Sequence, residues 1–205
     1  MKHTVLAGLV VLMMALGTPI ASAKDNSSTA IQNGVGNRVD VQQGSAKNSR
    51  VFVEQIGSQI YTAVEQSGRN NAITLIADGS NQDHRIRQQG RAPNELDILS
   101  VGAWNSTDVH QRGGGAGGNT ASIHQDGTSN RAVLFQRAQS GGGNVIGLLQ
   151  DGNDNHGDIH QRGSNNEAAL NQVGDGNSAV ITQNGHGLAI GVDQTGGAAI
   201  VINQR

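Results

Sequence analysis

The residues best suited to chemistry in this chain fail on spacing. His156, Asp158 and His160 are of the types that hold a divalent cation, but residues two apart on a strand sit ~6.8 Å apart. No fourth ligand is implied, and the three read as a solvated surface row. Asp151-Gly-Asn153-Asp-Asn155 begins like a calcium loop, yet its twelfth position is Arg162, where a bidentate Glu belongs. The glycines of residues 113–118 have the composition of a phosphate cradle, but no Lys-Ser/Thr follows and no helix opens there. They read as a flexible arc. His84 falls on an inward position, as a buried imidazole forming a weak rung. No Ser, His and carboxylate arrangement stands out. The expectation is therefore no catalytic residue, no metal, no cofactor, no nucleic acid and no small-molecule substrate.

One functional group does recur at a fixed spacing, the side-chain amide. Gln32, Gln43, Gln55, Gln66, Gln88, Gln111, Gln125, Gln136, Gln150, Gln161, Gln172, Gln183, Gln194 and Gln204 close fourteen of sixteen seven-residue segments, and Ala77 and Ser100 close the other two. Asn26, Asn37, Asn71, Asn94, Asn105, Asn119, Asn130, Asn144, Asn155, Asn166 and Asn177 open eleven of them. Thirteen of the fifteen turns carry Gly two places beyond the closing position, among them Gly57, Gly68, Gly79, Gly90, Gly127, Gly152, Gly163, Gly174 and Gly185. Much of the chain thus repeats every eleven residues, and a fixed period marks a stacked repeat architecture.

The elements that position these amides follow from the residues between them. Third positions are small or apolar and fifth positions aliphatic, while even positions vary freely, as in Arg38 and Asp40 or Asp83 and Arg85. Period two is a strand with one buried face. A helix would spread the constrained residues around its axis. Turns after odd-numbered segments keep four residues, shortening to three before the last, and the insertions fall after even-numbered segments, at residues 44–48, 89–93, 112–118 and 137–143. Odd and even segments then pair as strand-turn-strand rungs. The fold class is all-β, a two-sheet cross-β solenoid of about eight rungs, roughly 40 Å tall at ~4.8 Å per rung, with facing sheets ~10 Å apart.

Composition agrees with a thin core. Of 205 residues only 2% are aromatic, 35% hydrophobic and 15% charged, whereas 39 are Asn or Gln, 30 are Gly and none is Cys. These values exclude a disulfide scaffold and cysteine-ligated metal, and make a thick-cored enzyme a poor fit. The formal net charge of -2 offers no basic face for nucleic acid. Each strand sends two apolar side chains inward, so amides stacked over amides must supply the rest. An unpartnered buried amide costs ~1–3 kcal/mol, and the ladders therefore also specify register. Gly in the arcs permits the positive φ of a tight turn. Residues 1–23, with Lys2, an apolar run and an Ala21-Ser-Ala23 cleavage site, are expected to be a secretory signal peptide. Residues 24–205 then form a single solenoid. The apolar run is shorter than the ~20 residues that span a bilayer.

The segments Asn119-Thr-Ala121-Ser-Ile-His-Gln125, Asn130-Arg-Ala132-Val-Leu-Phe-Gln136 and Asn177-Ser-Ala179-Val-Ile-Thr-Gln183 fit the second half of a motif, S-x5-Q-x-G-x2-N-x-A-x3-Q, whose first half is fitted by Ser49 to Gln55. This unit resembles the curlin repeat of bacterial curli fibre subunits, and the resemblance spans nearly all of the chain after residue 23. It implies an extracellular functional amyloid, secreted through the periplasm to the cell surface, structural in biofilm matrix and cell adhesion. The implied partners are copies of itself, other curlin subunits, and a curli-type export channel with its chaperones. Two features depart from the family. There are more repeats than in its best-known members, and they begin two residues after the expected cleavage site, where the family carries a non-repeat stretch addressed to the channel. The last two segments open on Leu188 and Ala198, and the chain ends Gln204-Arg205, as in the minor, nucleating curlin. Major subunit and nucleator both remain open.

Monomeric solenoids carry polar terminal caps. Lys24 and Asp25 before the first segment and Arg205 after the last leave no room for them, so both ends are expected to accept another copy, head to tail. Outward charges such as Arg85, Arg87, Glu95 and Asp97 are expected to hinder lateral sticking of sheet faces, and acidic arcs to slow premature assembly. An ice-binding solenoid would need a regular Thr face. A carbohydrate-active one would need more than the four aromatics Phe52, Tyr61, Trp104 and Phe135.

Overall fold

The computed structural model describes residues 25–205 apart from residues 116 and 140. The expected signal segment, with Ala21 and Ala23, lies outside the described residues. Sixteen strands, and no helix among the described residues, run along the chain. One sheet holds β1 (Ser27–Val35), β3 (Arg50–Ser58), β5 (Ala72–Ser80), β7 (Glu95–Ala103), β9 (Thr120–Thr128), β11 (Val145–Asn153), β13 (Glu167–Val173) and β15 (Ala189–Thr195), stacked in that order. The other holds β2 (Arg38–Lys47), β4 (Tyr61–Arg69), β6 (Asp83–Gly90), β8 (Ser106–Gly113), β10 (Arg131–Ala138), β12 (His156–Ser164), β14 (Ser178–His186) and β16 (Ala199–Gln204).

Hydrogen-bonded neighbours are always two apart in sequence and parallel, as in β9 with β11 or β10 with β12. The chain crosses to the other sheet after each strand, and eight rungs result. This is the grouping that the turn lengths predict. One register shift occurs, between Gln42 and Ser45, where residues 44–48 carry the first insertion.

Burial alternates along the strands as the period of two requires. In β13, Ala168, Leu170 and Gln172 are buried while Glu167, Ala169 and Val173 are exposed. The aliphatic fifth positions form two facing columns, one through Ile123, Leu148 and Leu170, the other through Leu134, Ile159 and Ile181. Third positions differ between the sheets. The odd strands carry large residues such as Val51, Ile73, Leu96 and Ile146, and the even strands carry Thr62, His84, Thr107 and Gly157. At Gly157 leucines of the facing sheet fill the space, and a Cβ there would stand 2.7 Å from Leu148 Cδ1 and 3.0 Å from Leu170 Cδ2.

The arc glycines Gly57, Gly68, Gly79, Gly90, Gly127, Gly152, Gly163 and Gly174 have positive φ, as expected, but Gly185 does not. Close approach is the stronger requirement. A Cβ on Gly127 would lie 2.0 Å from the carbonyl oxygen of Gly152 one rung on, because stacked arcs meet backbone to backbone. No glycine carbonyl lies over Gly185, whose nearest neighbours are Leu188 and Arg205, so its constraint is relaxed. The sharp turn falls elsewhere, on the residue just before the opening position. Asn70, Asn81, Trp104, Ser129, Asp154 and Asn165 hold φ of 54–60° there.

The glycines of residues 113–118, read from sequence as a flexible arc, are stacked instead. Gly114 and Gly117 form an antiparallel bridge. Gly118 packs on the Pro93 carbonyl and Gly143 on that of Gly118, so the inserted connections continue the stacking of the rungs.

Candidate functional site

The glutamines line up in two columns. In the even sheet the Nε2 of each donates to the Oε1 of the next, from Gln43 through Gln66, Gln88, Gln111, Gln136, Gln161 and Gln183 to Gln204, in seven bonds of 2.7–3.0 Å. Every bond has the same sense, donor toward the N-terminal rung. In the odd sheet Gln32 donates to Gln55, and Gln125, Gln150, Gln172 and Gln194 form a second run. Ala77 and Ser100 interrupt this column, and Gln55 turns instead to Thr62 Oγ1 at 3.0 Å.

The amides of the inner rungs also tie the two sheets together, which the repeat alone did not reveal. Gln88, Gln111, Gln136, Gln161 and Gln183 donate to the carbonyls of Ala72, Glu95, Thr120, Val145 and Glu167 on the facing strands. The two amide hydrogens thus divide their work: one runs along the stack, the other closes the rung. Most of these glutamines are fully buried, and only the end rungs leave Gln32, Gln43 and Gln204 half-buried.

The asparagines depart from the amide-over-amide ladder expected of them. Direct Asn-to-Asn side-chain bonds run from Asn94 to Asn71, Asn119 to Asn94, Asn144 to Asn119 and Asn177 to Asn155. The commoner pattern is a clamp. Oδ1 of Asn105, Asn130, Asn155 and Asn177 accepts the backbone N–H of Asn130, Asn155, Asn177 and Ala198 on the next rung. Their Nδ2 groups go largely to arc carbonyls, as Asn130 to Asp126 and Gly152. Asn166 holds Leu188 N in the same way, and Asn26 and Asn37 hold the backbone N–H of Ser49 and Ile60. The cause is reach. A side chain one methylene shorter than Gln, placed beside the arc, meets main-chain groups before it meets another amide.

His84 is fully buried and its ring nitrogens face Thr107 Oγ1 at 3.2 Å and Gln82 Oε1 at 3.1 Å. Thr107 in turn donates to Gln125 Oε1. This lateral chain occupies the rungs where the odd column lacks glutamine. Desolvation lowers the His84 pKa to about 4, so the ring is neutral at pH 7.

Outside, His110, Phe135 and His160 fall on three successive rungs of the even sheet, with ring centroids 5.3 and 5.7 Å apart. Burial, then Arg87 and Arg112, hold the His110 pKa below its ordinary value. Residues this far apart in sequence carried no local signal for the stack. His160 Nε2 meets Asp158 Oδ1 at 2.9 Å, and no group of three metal-ligating side chains forms among the described residues. The chemical capacity of the molecule lies in its end rungs. β1 and β2 at one end, and β15 and β16 at the other, each pair on one side only among the described strands, and each bears a Gln in column.

Residues 152–185 and 163–196 match the family model of the curlin associated repeat. The two matches are offset by one eleven-residue unit. No curated protein matches the chain. The matched units are built like those of the other rungs, with Gln in column and Gly stacked on Gly, and over residues 152–196 the chain is similar to the curlin associated repeat.

Proposed function

We propose that the chain is an elongating subunit of an extracellular curli-type fibre, serving biofilm matrix and cell adhesion, in which each copy continues the rungs of the one before it. The observation that carries this reading is the single polarity of the Gln43-to-Gln204 column. Gln194 and Gln204 of one copy can donate to Gln32 and Gln43 of the next, repeating the bond made at every internal step of the even column and at four steps of the odd one. The inward residues of the last rung, Ile190, Val192, Ile200 and Ile202, would then cover Ser28, Ala30, Val39 and Val41. Such an end-to-end contact is heterologous and does not close, so it grows a filament. Signal-peptide removal after Ala23, and passage through a curli-type channel with its chaperones, would bring the chain to the cell surface. A purely structural role follows, with no catalytic residue assigned.

A second reading, nucleator, is favoured by Leu188 and Ala198, which replace the Asn clamps in the last rung. Without an Oδ1 there, a following copy is held by its Gln columns and strand bonds alone. Purified protein is expected to give fibres with a ~4.8 Å meridional spacing, and a stably monomeric sheet protein at high concentration would overturn the fibre reading. Trace addition to a major curlin subunit separates the two roles. Removal of the lag phase by a protein that fibrillises slowly alone identifies a nucleator, and ready fibrillation alone identifies a subunit.

A further inference from the structure

The two edges of the solenoid carry opposite charge, which the formal net charge of -2 conceals. The connections leaving the even strands carry Lys47, Arg69, Arg91, Arg112, Arg137 and Arg162 and no carboxylate, and the six are exposed. The connections leaving the odd strands form the opposite edge. They carry Asp78, Asp126, Asp151, Asp154 and Asp175, all exposed, and neither Lys nor Arg.

Three Arg–carboxylate ion pairs lie on the sheet faces, Arg38 with Asp40, Arg85 with Asp83 and Arg87 with Glu65. The charges on the edges form no ion pair among the described residues. They are also in register. Arg137 is aligned with Arg112 on one side and Arg162 on the other, giving three like charges one rung apart at ~4.8 Å. Asp126 is aligned with Asp151 on the far edge. Like charges directly opposite one another are destabilising, and a row of opposite sign with the same pitch relieves both rows at once. The molecule supplies that row itself, on the same rungs. Asp126 and Arg137 belong to the rung of β9 and β10, and Asp151 and Arg162 to that of β11 and β12.

We propose that the basic edge of one solenoid docks on the acidic edge of a second copy lying beside it with its strands stacked in the same direction, Arg137 facing Asp126 and Arg162 facing Asp151. A lone surface ion pair contributes little. Here the pairs form a series at one pitch, and head-to-tail growth repeats the series along the filament. The contact joins unlike edges and does not close, so filaments gather side by side into ribbons. Sheet faces, with their mixed charges, stay apart while the edges join. This inference rests on the fibre reading, and its test distinguishes the two.

Fibres of the full chain are imaged by electron microscopy for width while elongation is followed separately by the growth of β-sheet signal. Ribbons several filaments wide are expected at low salt, and single filaments near 1 M salt, where the screening length is ~3 Å. The Arg137→Glu, Arg162→Glu double variant should elongate at the parental rate within about twofold yet give single filaments at low salt. Mixing it with the Asp126→Arg, Asp151→Arg double variant should restore ribbons. Ribbons unchanged in the first variant, or unchanged near 1 M salt, would overturn the proposal. So would parental ribbons that appear only when polyglutamate is added, since the basic edge would then be a docking surface for an acidic polymer. If no filament grows at all, the fibre reading fails by itself. Sedimentation of the soluble chain then decides this one: salt-sensitive self-association lost in the Arg137→Glu, Arg162→Glu variant supports it, and its absence overturns it.

Discussion

A glutamine in this molecule answers to four neighbours. Gln136 accepts from Gln111 and donates to Gln161 and to the carbonyls of Thr120 and Asn144. Its replacement by Ala leaves buried donors and acceptors on both adjoining rungs without partners, so Gln136→Ala should lower stability by about 1–3 kcal/mol for each group left unsatisfied. Chemical denaturation against the parent measures this. A smaller loss is expected for Gln32→Ala, whose half-buried end rung admits water. His84 adds a pH dependence. Its folded-state pKa of about 4 lies below the ordinary value of 6.5, so the folded state favours the neutral ring. The contribution is fully present above pH 6.5 and is lost as the pH falls toward 4, by roughly 3 kcal/mol in all. Denaturation midpoints of the parent should drop across that window, and those of His84→Thr should drop less.

At the scale of the element, the arc is the unit most tightly constrained by its neighbours. Gly127→Ala sets a methyl group against the Gly152 carbonyl at a φ of 116°, and it should cost more than ~1 kcal/mol, read as a lowered denaturation midpoint. Trp104 presents the reverse case. It holds φ 60° with a side chain 62% exposed, where a residue with a Cβ pays ~1–2 kcal/mol and gains little by burial. Trp104→Gly should therefore stabilise the fold by up to that amount, and a midpoint shift in the opposite direction would show that the indole is packed in solution.

For the whole molecule, contacts are made rung to rung, so stability behaves as a sum over neighbouring rungs. Deletion of residues 155–176 removes one even and one odd strand and joins Asp154 directly to Asn177. Every later strand keeps its sheet, and Gln183 comes to lie over Gln136. The shortened chain should fold with the same circular dichroism and a smaller denaturant slope. Deletion of residues 166–176 removes a single strand, exchanges all later strands between the sheets and leaves half a rung. It should be far less stable than the longer deletion, although it takes away fewer residues.

The sequence by itself determined the period, the pairing of odd with even segments and the inward positions, because each of these is written locally as a residue type at a fixed offset. Gln, Ala, Leu and Asn in alternate places state which face is buried, and insertions confined to even-numbered turns state which turn closes a rung. The third dimension decided what each amide bonds. Gln136 and Thr120 meet across the sheets, and Asn130 prefers the arc carbonyls of Asp126 and Gly152 to another amide, since reach and direction depend on backbone placed by distant strands. It also decided why the arc glycines are required, through the approach of one arc to the next. Charge followed the same division. Its sum was available from composition, but only the stacking of connections far apart in the chain gathered the arginines along one edge and the aspartates along the other.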